Sequence, residues 1–321
     1  MTPNKTAYRG RFAPSPTGPL HRGSLAAALA SFLDARLKQG DWLLRIEDID
    51  PPRDIAGADL WIKQTLASHG MHWDEAILYQ STRLDRYQQI FETLQSEQLL
   101  YRCECTRRRL REIEREYDNH CRPQLRQEDW TRESHIPPSK PEKHAANFAW
   151  RFNIAAADAT AEGAAQYKPD GKRAFFERLS TQARQFDDDD FIVRRKDGLF
   201  SYNLAVVVDD IDQSITDIVR GDDLFTMTSR QITLSKALHG GISRYLHIPV
   251  VKDDKGFKFS KQHGAEGVDN ASAIDNLKQA AQDLNLLDRT AADDLVARNC
   301  EELLAALLPF WQQFLLRHGA V

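Results

Sequence analysis

The chain has 321 residues, of which 41% are hydrophobic and 28% charged, and its formal net charge is −4. That length can bury one large core or two modest ones; no apolar run approaches the ~20 residues of a membrane span, and the first residues lack a signal-peptide core, so a cytoplasmic globular protein is expected. The slight acidity excludes indiscriminate binding to nucleic acid, and four cysteines, three of them within 19 residues, suit a metal better than an extracellular disulfide framework.

Residues 8–13 read as a short strand running into the turn Pro14-Ser-Pro-Thr-Gly18. Leu25, Leu29, Phe32, Leu33 and Leu37 follow at helical spacing, closed by Gly40, with His21 and Gly23 at the helix start. Trp42–Ile46 reads as a buried strand and 55–69 as a second helix. Strand, helix, strand, helix implies a parallel sheet with a nucleotide at its carboxyl ends. Residues 99–180 break the rhythm with the cysteines, a Pro-, Lys- and His-rich stretch at 134–144, and a short strand at 148–154. They read as an insertion with a loop at 137–141. Asp187–Asp190 reads as a solvated acidic run. Next come a strand at 190–195, a turn at Lys196-Asp-Gly198, and 199–208 as a second, buried strand of a hairpin. A strand at 218–221, a helix at 226–239 and a strand at 247–251 lead to Lys258-Phe-Ser-Lys-Gln262. Two or three helices close the chain, the last at 303–316.

The chemistry sits in two distant segments. At 11–24, His21 and the N–H groups of a helix start face a bound phosphate; at 258–262, Lys258 and Lys261 supply cations to the same triphosphate. Charge brought from both sides stabilises an in-line displacement at the α-phosphate, which points to ATP-dependent adenylation of a carboxylic acid. Asp48, Asp50 and Arg53 read as a structural tie rather than a Mg²⁺ site.

These segments resemble the two signature motifs of class I aminoacyl-tRNA synthetases. With Leu43-Leu-Arg-Ile-Glu-Asp-Ile-Asp50 and Ile218-Val-Arg-Gly-Asp-Asp-Leu224, the chain over roughly residues 8–265 is similar to the glutamyl-tRNA synthetase branch. It departs at Arg22-Gly-Ser24, where the family tends to carry an aliphatic residue, then Gly, then Gly or His. It also departs at Phe259 for methionine and at Gln262 for serine. The resemblance implies an α/β Rossmann-like catalytic domain in two halves, 1–98 and 181–265, around a zinc-containing insertion at 99–180 that resembles an acceptor-binding insert. A short helical region at 266–321 stands where a full anticodon-binding domain is expected. His21, Gly23, Lys258 and Lys261 are then the catalytic set, with His21, Gly23 and Lys261 on ATP, which enters with Mg²⁺. Arg11, Phe12, Ala13, Pro14, Ser15, Glu47, Tyr202 and Arg220 line the glutamate site. The residue types agree: a buried carboxylate wants an arginine fork, which Arg11 and Arg220 offer, and Glu47 can receive the ammonium.

Cys103, Cys105 and Cys121 give three thiolates to a tetrahedral zinc and leave the fourth place open to the adjoining His120; the resemblance implies Tyr117 instead. Arg107, Arg108, Arg109, Arg111 and Arg115 form a candidate RNA patch, interleaved with Glu112, Glu114 and Glu116. The short C-terminal region is similar to that of the shortened branch that glutamylates the queuosine base of tRNA(Asp). The expected partners are thus L-glutamate, ATP and queuosine-containing tRNA(Asp), with no membrane, for a monomer. Two alternatives are a synthetase charging a tRNA 3′ end and an inactive synthetase-like RNA-binding protein.

Overall fold

The computed structural model describes residues 8–113, 117–123, 148–160, 189–241, 243–251 and 266–319. The expected loop at 137–141, Arg115, and Lys258 and Lys261 lie outside the described residues. β1 (Arg9–Phe12), β2 (Asp41–Ile46) and β3 (Asp74–Tyr79) form a parallel sheet in that order, with α1 (Arg22–Leu37) and α2 (Ala58–Ser68) as crossovers. α2 starts at Ala58 because Gly57 adopts φ 81°, a left-handed conformation that stops the helix from extending back to Ile55.

After α3 (Leu84–Ser96) the chain enters an antiparallel sheet of β4 (Leu100–Cys103), β5 (Ala149–Phe152) and β6 (Phe191–Arg194). α4 (Arg107–Glu112) and α5 (Ile154–Thr160) accompany it. α6 (Tyr202–Asp212) leads back to a second parallel pair, β7 (Asp217–Gly221) and β8 (Arg244–Ile248), bridged by α7 (Thr228–Ala237). Thr216 N donates to Arg9 O at 2.9 Å, which sets β7 alongside β1 on the edge that β2 leaves free. Crossovers therefore leave β1 and β7 in opposite directions, and a crevice opens at their carboxyl ends, where nucleotides bind in such sheets.

The helices α8 (Ala273–Asp283) and α10 (Cys300–Arg317) pack on α1, and α9 (Arg289–Asp294) packs against α8. Leu25, Leu29 and Leu33 of α1 share one continuous core with Trp42 of the sheet and with Leu277, Leu303, Leu307 and Trp311. Sandwiching explains why α1 is apolar on most of its faces. Asp34 is buried in that core and accepts from Tyr8 Oη at 2.8 Å, Trp311 Nε1 at 3.1 Å and Lys38 Nζ at 3.2 Å.

Three sequence expectations fail. Residues 199–208 are not a strand: Arg195 N bonds Leu199 O at 2.8 Å and closes the hairpin turn, but Ser201 then caps α6 through Leu204 N. The β-branched run Val206–Val208 is buried in that helix, because tertiary burial overrides its strand propensity. Asp189 and Asp190 are not solvated. Asp190 is buried and accepts from Arg122 Nε at 2.6 Å, Tyr101 Oη at 2.7 Å and Ile154 N at 2.9 Å, so it pins the insertion together. The last strand is Arg244–Ile248, three residues earlier than expected, in register with β7.

Candidate active site

His21 is the N-cap of α1, with φ −96° and ψ 170°. Its Nδ1 accepts from Ser24 N at 3.2 Å and its Nε2 lies 3.1 Å from Ser24 Oγ, so the residue that departs from the family motif is the one that orients the imidazole. Arg22, the other departure, grips Asp283 of α8 through Nε at 2.6 Å and through a second, shorter contact from Nη2. The capped end opens on a cavity of about 450 Å³ lined by Phe12, Pro14, Ser15, His21, Gly23 and, across it, Gly221, Asp223 and Val251. A Cβ at Gly221 would stand 2.5 Å from Asp223 Oδ1, so a side chain there would have to displace the Asp223 carboxylate. Gly267 pairs with His21, and Val268 N donates to Leu20 O at 2.9 Å. Both described flanks of the segment bearing Lys258 and Lys261 thus meet this cavity.

Behind the cavity lies a buried charged cluster. Arg11 on β1 is 4% exposed and donates from Nε to Asp210 at 3.1 Å, while its two terminal nitrogens make no hydrogen bond among the described residues. Asp210 is shared with the fully buried Arg45, 2.5 Å from Nη2. Those two guanidinium groups, offsetting burial, hold the Asp210 carboxyl below its usual range. Glu47 follows β2 and is tied to the end of β1 by its N–H to Pro14 O at 3.1 Å. Its Oε1 is buried without a hydrogen-bond partner, as is Arg45 Nε, 4.0 Å away. Burial pushes the Glu47 carboxyl up to about 7, against the pull of Arg45 and Arg11. Tyr202, the first residue of α6, also has its hydroxyl pKa raised, by burial and then by the Glu47 charge.

Arg220 on β7 is 5% exposed and has no carboxylate partner among the described residues. Its Nη1 donates to Gln231 Oε1 at 2.7 Å, its Nη2 to Thr228 Oγ1 at 2.8 Å and Leu224 O at 3.2 Å, and its Nε to His247 Nε2 at 3.3 Å. A buried cation held only by neutral acceptors is costly unless an anion arrives.

In the insertion, the Sγ atoms of Cys103, Cys105 and Cys121 lie within 4.8 Å of one another, with Cys105 and Cys121 3.5 Å apart. Burial and the neighbouring thiols raise the Cys105 pKa to about 12. Cys103 is the reverse: burial would raise it, but a hydrogen bond from Arg151 prevails and lowers it. Tyr117 is buried and accepts the Cys121 N–H at 2.9 Å; His120 is exposed. Tyr117 reaches Cys121 through an irregular turn, with no helix between them. Three thiols and a phenol converging in this way fit a zinc ion, which would be held by Cys103, Cys105, Cys121 and Tyr117. On α4, Arg108 pairs with Glu112 and Arg109 with Asp118, so two of the candidate RNA-patch cations are engaged.

Residues 7–290 match the family model for the catalytic domain of class I tRNA synthetases of the E and Q type. The chain belongs to that family. It is 40% identical to the Glutamyl-Q tRNA(Asp) synthetase of Idiomarina loihiensis over 95% of this chain and 96% of that one. It is 39% identical to the protein of the same name from Bordetella bronchiseptica, over 99% and 93%. In fold it is similar to a glutamate tRNA ligase from Elizabethkingia meningosepticum solved with its amino acid, with a TM-score of 0.61 at 22% identity, covering 97% of this chain and 70% of that one. This class I synthetase is therefore a ligase with an α/β catalytic domain built on parallel strands.

The synthetase brings Arg11, Glu47, Tyr202 and Arg220 into one electrostatic neighbourhood, although they come from four different elements. Ser15, His21 and Gly23 share the adjoining cavity with Phe12 and Pro14, whereas Ala13 is not among its lining residues. Asp48 and Asp50 are structural: Asp48 accepts from Ser81 N at 2.8 Å, and Asp50 from Arg53 at 2.6 Å and Arg195 at 3.2 Å. Sequence reasoning missed Arg45, Asp210, His247, Thr228, Gln231 and Asp223. One signal was available: Asp209-Asp210 directly after the apolar run 204–208 demanded buried cations.

Proposed function

We propose that this synthetase activates L-glutamate with ATP and passes it to the queuosine base of tRNA(Asp). The observation that carries the substrate is Arg220, a buried cation that among the described residues is cradled by neutral groups alone, near the fork of Arg11, whose terminal nitrogens make no hydrogen bond to a described residue, and near the unpartnered Oε1 of Glu47. Two carboxylates and one ammonium supply the missing partners. The substrate α-carboxylate oxygen attacks the α-phosphorus of ATP, the bond from that phosphorus to the bridging oxygen breaks, and pyrophosphate leaves. His21 and the N–H groups of the α1 start receive the phosphate oxygens, while Lys258 and Lys261 neutralise charge from the other side and Mg²⁺ accompanies the nucleotide. In the second step a queuosine hydroxyl oxygen attacks the acyl carbon, the bond from that carbon to the phosphate oxygen breaks, AMP departs, and the hydroxyl proton passes to the departing phosphate or to solvent. A zinc ion held by Cys103, Cys105, Cys121 and Tyr117 would order the insertion, away from the chemistry at phosphorus. The acceptor is supported by the names of relatives that match this chain almost end to end.

Exchange of labelled pyrophosphate into ATP, run without tRNA across amino acids, tests the first step. Glutamate alone is expected to support exchange; equal exchange with aspartate refutes the pocket reading. Charging of queuosine-containing and queuosine-free tRNA(Asp) tests the second. Equal charging of both refutes the base as acceptor and favours the 3′ end.

A further inference from the structure

Among the described residues, every group that holds Arg220 is uncharged, and one of them, His247, is a titratable side chain. His247 on β8 is 4% exposed, stacked parallel to Tyr245 at 6.1 Å and edge-on to Phe225 at 5.1 Å. Arg220 Nε carries a single hydrogen and donates it to His247 Nε2 at 3.3 Å. Thr228 Oγ1 already accepts from Arg220 Nη2, and its own hydrogen can point at the same Nε2, 3.1 Å away. Nε2 must therefore present a lone pair, which places the imidazole proton on Nδ1. Burial, together with the adjoining guanidinium, lowers the His247 pKa well below the ordinary histidine value.

We propose that His247 is a positioning residue for substrate selection: it fixes the plane of the Arg220 guanidinium while leaving its charge available to the side-chain carboxylate of the substrate. The rest of the pocket shows why neutrality matters. Arg11 and Arg45 share Asp210, and Glu47 offers a second negative charge once ionised, so those four groups balance. Arg220 is the surplus cation, and a substrate with two carboxylates and one ammonium brings one surplus anion. An acid at position 247 would hold Arg220 equally well and cancel that match. This inference rests on the glutamate reading above and deepens it.

The test compares His247→Gln with His247→Asp in the full-length protein, using tRNA-free pyrophosphate exchange. Glutamine keeps a neutral acceptor, and its KM for glutamate should stay within about threefold of wild type. Aspartate keeps an acceptor but neutralises Arg220. Its KM for glutamate should rise about 30-fold or more, the scale of losing one buried charge pair, with KM for ATP unchanged. A merely structural histidine would move both constants, or neither. Wild-type exchange with glutamate together with an unaltered glutamate KM in the aspartate variant overturns the role of His247 alone. Absence of glutamate-dependent exchange in the wild type overturns the underlying pocket reading. A measurement on the unaltered protein stands beside the variants: ¹⁵N spectra of labelled imidazole should show His247 as the Nδ1–H tautomer from pH 6 to pH 8. An Nε2–H tautomer or an imidazolium would overturn the assignment.

Discussion

Glu47 should make glutamate binding pH-dependent in a range where the substrate itself does not titrate. Its carboxyl is raised to about 7, foremost by burial. Arg45 and Arg11 lower it, Asp210 and Asp209 raise it, and the Tyr202 hydroxyl faces the same charge. Only the carboxylate form attracts an ammonium. A raised pKa means that the free enzyme is about half protonated near pH 7 and roughly one-tenth ionised at pH 6. Ionising the group there costs about 1.4 kcal/mol, and kcat/KM for glutamate should fall about fivefold between pH 7 and pH 6 and about tenfold per pH unit below that. Because binding captures the ionised form, glutamate should release about half a proton at pH 7, measurable by titration calorimetry in buffers of different ionisation enthalpy. The sign for stability runs the other way. The folded state holds the proton more tightly than the unfolded chain, so this residue's contribution to stability is greatest below the ordinary carboxylate pKa and is lost as pH rises toward 7. Proton-neutral glutamate binding at pH 7, or an acid limb unchanged in Glu47→Gln, would refute the reasoning.

Arg220→Met should cut kcat/KM for glutamate by roughly 100-fold or more while changing the thermal midpoint little, because it deletes a buried cation that has no acid partner among the described residues; a large stability loss with normal activity would contradict this. Trp311→Phe removes the Nε1–H donated to buried Asp34 at 3.1 Å, and should cost about 1–3 kcal/mol in denaturant unfolding. The purified protein should carry one zinc by elemental analysis. Cys121→Ser or chelation should lower the thermal midpoint yet leave tRNA-free exchange near wild type. Lys261→Ala should lower kcat about 100-fold with glutamate KM nearly unchanged, as steady-state exchange kinetics will show.

Local features of the fold were legible because their causes are local. The 3.6-residue spacing of Leu25, Leu29 and Leu33 and the turn residues before His21 announce a helix with a phosphate-facing start. The cysteine spacing likewise announced a cluster, although Tyr117 came only from resemblance, since an irregular turn brings it to Cys121. α6 was misread because Val206–Val208 look like a strand. The corrective lay in the acids that follow: Asp209 and Asp212, three apart, both meet Arg83, while Asp210 turns to Arg11 and Arg45. A strand would have put Asp209 and Asp212 on opposite faces, where one Arg83 could not meet both. The cradle of Arg220 was illegible for another reason. Thr228 and Gln231 on α7 and His247 on β8 meet it only once the crossover from β7 through α7 to β8 has folded.

The clasp between the start of α1 and the C-terminal helices joins residues 261 apart in sequence, Arg22 and Asp283, one position from His21. Leu20 and His21 are also paired with Val268 and Gly267. Lesions near residue 283 should therefore behave genetically like lesions in the phosphate-binding turn, impairing use of ATP and leaving glutamate recognition intact. A loss-of-function selection should return mutants from both ends of the gene with a single phenotype.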